Sequence, residues 1–220
     1  MKKFLLLLVG VFAVGLSFSQ SADALMASVR SKTNTVKKYE AQAKLKTDVA
    51  FLKIPLSDVL ISYAYPDKFN IKRKNGISVL PKGGIKMNMS TLLEDGKFMS
   101  LFSGRINFKG KDLAVVKMLP IKEDPEIALS TLYVDDKAML IMKAINTTKD
   151  NGTYEVEMEY GKYAKWGLPD KVIMAFNMKD YKLPKAITFE YESGFEDKPK
   201  DLKPKSTKGK VEIVYQGYSF

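Results

Sequence analysis

The residue types on which many enzymes rely are missing from this chain of 220 residues. It contains no histidine and no cysteine, which excludes a Ser-His-Asp triad, a Cys-His pair and a zinc site built on imidazole or thiolate. Glu155, Glu157 and Glu159 alternate along one segment and would lie about 7 Å apart on one strand face. They could form a metal or acid–base cluster, but without partners nearby in the sequence an outer, solvated face is the favoured interpretation. We therefore expect no cofactor, no metal and no enzymatic activity.

The chemistry that the sequence does offer is apolar binding. An acyl chain carries no hydrogen-bonding group, so its site needs only a dry, adaptable surface. Burying one CH2 group is worth about 0.8 kcal/mol, and methionine fits irregular apolar spaces because its side chain is unbranched. The chain contains 11 methionines. For any single methionine, an ordinary place in the core is the better interpretation.

The first 19 residues have the pattern of a secretory signal peptide. A basic start precedes an apolar run over residues 4–16, and Ser17 and Ser19 suit cleavage before Gln20. The apolar run is shorter than the roughly 20 residues of a membrane-spanning helix; an uncleaved anchor is the alternative. Without cysteine, we expect no lipid anchor at a processed N-terminal cysteine and no disulfide. We expect an exported protein in which residues 20–220 form one domain.

The net charge is +11, and +9 without the two lysines of the signal. Only three residues are arginine, the side chain that base and phosphate recognition favours, so we expect no nucleic-acid partner. The lysine excess favours transient contact with an anionic membrane, although a well-solvated surface would explain it equally. The lysine-rich stretch 196–210 is predicted to be a loop, either solvated or in contact with lipid or a partner.

One amphipathic helix is predicted directly after the signal, with Ser21 as its N-cap. A second helical segment, in one or two short pieces, is predicted over residues 90–102, although Gly96 weakens it. The apolar-face residues of the first helix are Ala22, Leu25, Met26, Val29, Thr33 and Val36.

After the first helix the hydrophobic period changes to two, which predicts a succession of roughly nine to eleven strands. The first strand runs over residues 39–51 and the second over 59–65, continued by 69–71 beyond Pro66, and Asn75-Gly76 is a hairpin signal. Later strands are predicted at 113–119, 127–134, 138–145, 154–160, 171–177, 186–192 and 211–218. Such a large open antiparallel sheet tends to curl. The predicted fold is α+β: a large curled antiparallel sheet forming an incomplete barrel, whose concave face is covered by the N-terminal helix and one or two short helices.

Two short motifs carry a family resemblance that covers most of the mature chain. They are Tyr65-Pro66-Asp67-Lys68-Phe69, followed by Asn75-Gly76, and Leu132-Tyr133-Val134-Asp135, followed by Leu168-Pro169. With the order of signal, helix and long strands, they make the chain resemble the periplasmic outer-membrane lipoprotein carriers (LolA-like) and their RseB-type and LppX-type relatives. The resemblance implies a half-barrel in which helices and sheet enclose acyl chains.

The same resemblance implies a periplasmic carrier or chaperone for lipoproteins or other lipids. Phe69 matches the family's large apolar cavity residue, whereas Tyr65 replaces a basic residue that helps to hold the helical lid, so a general lipid or lipoprotein binder is expected rather than a strict counterpart of the carrier. Expected partners are an acylated lipoprotein or lipid and acceptor proteins in the inner and outer membranes; the protein is expected to be a monomer. The alternative is a periplasmic sensor or interaction module that recognises a protein or an envelope-stress ligand.

The alternation of side chains along each predicted strand gives a first selection of residues that could line a cavity. The sequence cannot distinguish these residues from ordinary core residues. The predicted lipid-binding residues are Leu45, Val49, Phe51, Val59, Ile61, Tyr63, Phe69, Leu92, Met99, Leu140, Met142, Tyr154, Val156, Met158, Met174 and Phe176.

Overall fold

The part of the chain described by the computed structural model consists of one α-helix, a single turn of 3₁₀ helix and one antiparallel sheet. It comprises residues 21–49, 56–66, 68–73, 93, 96–122, 127–149, 152–178 and 207–220. The helix α1 is Ala22–Thr33 and the 3₁₀ turn is Ala164–Trp166. The strands are β1 (Lys38–Val49), β2 (Ser57–Ala64), β3 (Lys68–Arg73), β4 (Phe98–Phe108), β5 (Lys111–Pro120), β6 (Ile127–Asp135), β7 (Leu140–Thr148), β8 (Thr153–Glu159), β9 (Lys171–Met178) and β10 (Thr207–Ser219).

Helix α1 confirms the prediction for the residues that follow the signal. The Ser21 side chain accepts a hydrogen bond from the Ala24 N–H at 3.2 Å, and Asp23 in the first turn and Lys32 in the last complement the helix dipole. Its apolar face is buried against β4 and β7. The buried residues of that face are Ala22, Leu25, Met26 and Val29.

The sheet is curled into a half-barrel, with strand order β3-β2-β1-β10-β9-β8-β7-β6-β5-β4. Phe69 on edge strand β3 and Leu140 on β7 line the same cavity. In a flat sheet, six strand spacings of about 4.8 Å would separate these strands by roughly 29 Å. The inner faces therefore converge on one core below α1, and the predicted fold class is confirmed.

The second predicted helix is wrong where the structure describes it, because residues 98–102 form the start of β4. Phe98 is buried and Met99 is exposed, which is strand alternation and not a helical face. Gly96 has a φ of 70°, a left-handed conformation that ends a helix. Leu93 is buried in the core, and the rest of segment 90–95 lies outside the described residues.

Three predicted strand boundaries differ from the structure. Residues 69–71 do not continue β2: they belong to β3, which turns back at Tyr65-Pro66 and pairs antiparallel with β2. The turn before β7 extends to Met139, because the Asp135 carboxylate accepts the Ala138 N–H at 3.0 Å. The last strand already begins at Thr207, so the end of the predicted lysine-rich loop is strand. The Asn75-Gly76 turn and the 186–192 strand lie outside the described residues.

Candidate functional site

The candidate site is a cavity of about 130 Å³ beneath the C-terminal end of α1. The helix contributes its last residue, the sheet contributes inward side chains of β1, β2, β3 and β7 to β10, and the segment after the 3₁₀ turn closes one side. None of the lining side chains carries a charge. They are Thr33, Val36, Tyr39, Tyr63, Phe69, Leu140, Ile141, Val156, Met158, Tyr160, Gly167, Leu168, Pro169, Val172 and Tyr215.

Four tyrosines and Thr33 supply the polar side-chain groups of this apolar cavity. The Tyr160 hydroxyl donates to the Ile141 carbonyl at 3.0 Å, and the Tyr63 hydroxyl donates to the Pro66 carbonyl at 3.4 Å. The hydroxyls of Tyr39 and Tyr215 donate to no group among the described residues. Two of the four cavity-lining tyrosines therefore have a hydroxyl without an acceptor among the described residues.

The phenols around the cavity stay neutral far above physiological pH. Burial raises the pKa of Tyr39, and the neighbouring phenols Tyr215 and Tyr63 raise it further. Burial likewise raises the pKa of Tyr160 and of Tyr215. An uncharged, low-dielectric lining favours a neutral guest, because burying an unpaired carboxylate without a cation is costly.

A loop between β8 and β9 closes the cavity near the end of α1. The Tyr218 hydroxyl donates to the Pro169 carbonyl at 2.6 Å, and backbone hydrogen bonds of Asp170 join this loop to β8 and β10. Gly167 has a φ of 72°, and a Cβ at this position would lie 3.2 Å from the carbonyl oxygen of Lys32. Glycine therefore suits the loop both for its backbone angle and for its close approach to the helix.

Five of the predicted lipid-binding residues line the cavity together: Tyr63, Phe69, Leu140, Val156 and Met158. They come from four strands, and their inward orientation follows the alternation that the sequence shows. Whether they contact a lipid stays a prediction.

The other predicted residues lie away from this cavity. Met99 is 59% exposed, on the face opposite the buried Phe98. Met142 is half-buried beside a register irregularity between β6 and β7. Phe51 and Leu92 lie outside the described residues, as does the side chain of Val49, whose backbone pairs with β10. The remaining residues, packed in or against the core without lining the cavity, are Leu45, Val59, Ile61, Tyr154, Met174 and Phe176.

The cavity also contains residues that the sequence argument missed. Tyr160 shares a strand face with Met158, and Tyr215 continues the face of Val211 and Ile213. The alternation of inward and outward side chains could therefore have added both tyrosines to the predicted lining. The loop residues Leu168 and Pro169 carry no such signal, because they reach the cavity through tertiary packing.

The three glutamates of β8 lie on the outer face and are paired with lysines. The Lys143 ammonium lies 2.6 Å from a Glu155 carboxylate oxygen, and the Lys109 ammonium lies 2.7 Å from Glu157 and 3.7 Å from Glu159. Burial raises the pKa of Glu157, but the hydrogen bond from Lys109 and the lysine charges outweigh it, so the net pKa lies below the ordinary value. The described residues contain no cluster of three or more potential metal ligands, and the prediction of an outer face holds for these glutamates.

Within the described residues, the single α-helix is too short and too polar to cross a bilayer.

No protein-family model and no curated protein sequence matches the chain. Its fold is similar to that of a LolA superfamily protein from Nitrosomonas europaea, with a TM-score of 0.56 at 9% identity over 91% of this chain and 93% of that one. A DUF1329 family protein from Desulfovibrio piger gives a TM-score of 0.49 at 12% identity over 91% and 93%. A domain assigned to outer-membrane lipoprotein sorting, from Vibrio parahaemolyticus, gives 0.48 at 10% identity over 89% and 90%. The likeness to the Nitrosomonas europaea protein confirms the predicted resemblance at the level of the fold: the chain has a fold similar to that of a LolA superfamily protein.

Proposed function

We propose that the chain is an exported carrier or chaperone that binds acyl chains of lipoproteins or other lipids between α1 and the concave face of the sheet. The observation that carries this proposal is the uncharged cavity, whose walls are apolar side chains and neutral phenols. The signal-like N-terminal sequence supports export to the periplasm, where acceptor proteins in the inner and outer membranes would load and unload the carrier.

The size of the cavity limits what it holds in this conformation. An apolar cavity of about 150 Å³ holds benzene, a six-carbon ring, so about 130 Å³ takes the last five or six carbons of one acyl chain. At about 0.8 kcal/mol per CH2, that gains roughly 4–5 kcal/mol before ordering costs. Such a moderate gain is compatible with release to an acceptor.

A longer acyl chain requires the half-barrel to open. The helix α1 packs on β4 and β7 through one apolar face, and both edges of the sheet, β3 and β4, lack a strand partner among the described residues. Separating α1 from the sheet would extend the cavity along the apolar core residues of the concave face. The carrier therefore exchanges its own helix contacts for contacts with the cargo.

The test uses the purified chain and benzene, an apolar probe of the size that such a cavity holds, whose binding is measured by isothermal titration calorimetry with and without a competing diacyl lipid. Leu140→Phe places a larger side chain in the cavity and is expected to weaken probe binding about tenfold or more, because excluding two CH2 groups costs about 1.6 kcal/mol. Leu60→Phe is the matched control, since Leu60 is 40% exposed and lies away from the cavity. Equal affinities of the two variants would show that the probe does not bind in this cavity. Native mass spectrometry of freshly purified protein adds the identity of any bound acyl material.

A second candidate function is an interaction module that binds a protein segment on the same scaffold. The observation that favours it is an exposed apolar group on the outer face of β4 and its neighbour β5, where Met99, Leu101 and Leu119 are each more than a third exposed. In this case, Leu101→Ser would abolish binding of a defined partner, while Leu140→Phe would leave it unchanged. Acyl-free protein from its own host would also favour this candidate.

A further inference from the structure

One end of the sheet carries a cluster of exposed aromatic and lysine side chains beside the cavity. We call it the aromatic–lysine rim and define it by Lys37, Tyr65, Lys162, Lys165, Trp166 and Phe220. All six are exposed except Trp166, which is half-buried; Phe220 is 58% exposed and Tyr65 is 46% exposed.

The rim is continuous although its residues come from four separate parts of the chain. The Tyr65 N–H donates to the Lys37 carbonyl at 2.8 Å, which joins the turn after β2 to the segment before β1. At the other side, the ring centroids of Trp166 and Phe220 lie 5.1 Å apart. Between them, Tyr163 and Tyr218 pack at 4.9 Å and the Tyr218 ring contacts Tyr39 at 5.2 Å, which reaches the cavity wall.

Each lysine of the rim lies over an aromatic ring. The Lys37 ammonium lies 4.0 Å from the centroid of Tyr65, the Lys165 ammonium lies 3.9 Å from Trp166, and the Lys162 ammonium lies 5.2 Å from Tyr163. This places the cations at the same level as the rings, so both can meet one surface together.

The rim lysines differ in their charge pairing from those of the outer sheet face. Lys109, Lys143 and Lys171 each lie within 4 Å of a glutamate. The three rim ammonium groups form no ion pair with any residue that the structure describes. Among the described residues, the Asp170 carboxylate contacts their segment, where it accepts the backbone N–H of Lys162 at 3.2 Å. The rim therefore presents three lysine charges that form no ion pair with the described residues.

We propose that the aromatic–lysine rim docks the protein on an anionic lipid surface, with the lysines at the phosphate level and the aromatic rings at the boundary of the acyl region. Unpaired cations beside exposed aromatic rings match this layer of a bilayer, because aromatic rings with a polar edge favour the interface and lysines are attracted by anionic headgroups. An acidic protein surface would attract the lysines but would offer no apolar region into which the rings of Tyr65 and Phe220 could be buried. The docked orientation brings the cavity next to the membrane. The proposal concerns the surface and does not require the cavity to hold an acyl chain.

The sole tryptophan of the chain, Trp166, is a built-in reporter for this test. With vesicles of phosphatidylcholine and phosphatidylglycerol, we expect its emission to shift to shorter wavelength and to be quenched by brominated acyl chains; pure phosphatidylcholine should leave it unchanged. Each lysine near an anionic surface strengthens binding about fivefold. The variant K37Q/K162Q/K165Q should therefore bind about one hundredfold more weakly in a flotation assay.

The matched control is K46Q/K72Q/K122Q, which removes three exposed lysines outside the rim. Equal weakening in the two triple variants would overturn the proposal in favour of attraction by net charge. Vesicle binding without a change in Trp166 emission would overturn it as well, and so would binding of an acidic protein without binding of anionic vesicles. The variant Leu140→Phe separates this proposal from the proposed function, since it fills the cavity and should leave vesicle binding unchanged.

Discussion

Two tyrosines of the cavity differ in one hydrogen bond, which makes them a matched pair for mutation. The Tyr160 hydroxyl donates to the Ile141 carbonyl at 3.0 Å, whereas the Tyr215 hydroxyl donates to no group among the described residues. Both rings pack against the same core. Replacing each tyrosine by phenylalanine therefore removes one hydroxyl in a similar apolar setting.

The expected effects on the free energy of unfolding differ in size. Tyr160→Phe removes a hydrogen bond that connects the start of β7 to the residue after β8, and the loss of such a bond costs about 1 kcal/mol. For a chain of this length, about 1 kcal/mol lowers Tm by about 3 °C. Tyr215→Phe removes a hydroxyl that has no hydrogen-bond partner among the described residues, and should change the unfolding free energy by less than about 0.5 kcal/mol.

Urea unfolding followed by circular dichroism measures both variants against the parent chain, with unchanged slopes showing that only stability has changed. Equal urea midpoints for Tyr160→Phe and Tyr215→Phe would refute the assigned hydrogen bond. A ligand assay extends the comparison to function. Tyr215→Phe should weaken a probe that carries a carbonyl group and leave a plain hydrocarbon probe unaffected, because only the former accepts from the phenol.

Three further variants test the packing and the charges of the sheet. Ser130→Ala removes the donor that lies 2.6 Å from the buried amide oxygen of Asn146, and should lower the unfolding free energy by about 1–3 kcal/mol in urea titrations. Gly209→Ala places a Cβ against the Phe176 ring that covers this glycine, and a similar loss of about 1–3 kcal/mol is expected in the same assay. The folded-state pKa of Glu157 lies below its unfolded value, so its contribution to stability is present above the ordinary carboxyl range and is lost as the pH falls through the folded-state pKa. In Lys109→Gln the Glu157 carboxylate stays buried but loses its hydrogen bond from the Lys109 ammonium. NMR titration should therefore find a higher pKa for the Glu157 carboxyl group than in the parent chain. Acid unfolding of the variant should begin at a higher pH.

The strands were predictable because alternation is a local property of the sequence. Tyr154 to Tyr160 alternate with glutamates, and the structure buries Val156 and Met158 while the glutamates pair with lysines on the opposite face. The error at residues 98–102 shows the limit of the same signal. Apolar residues occur there on both faces of β4, because an edge strand leaves Met99 and Leu101 exposed, and a strand with two apolar faces loses its period of two.

The cavity could be predicted only in part, because its position depends on how far the sheet curls. The alternation along β1 and β8 gives Leu45 and Met158 the same inward orientation, and both belong to the core, but only Met158 also lines the cavity. Leu45 packs in the core, whereas Met158 lies where the helix ends and Val36 leads the chain into β1.

The end of α1 therefore decides which inward residues line a cavity and which form core. An α-helix rises 1.5 Å per residue, so α1 covers roughly 18 Å of the concave face, and among the described residues the space beyond Thr33 is bounded by side chains and by the loop at Gly167. Rings and a loop leave gaps that a continuous helical face does not. Thr33 is the last residue of α1 and lines the cavity, so a helix one turn longer would reduce this space; under the proposed function, the short helix leaves room for the guest.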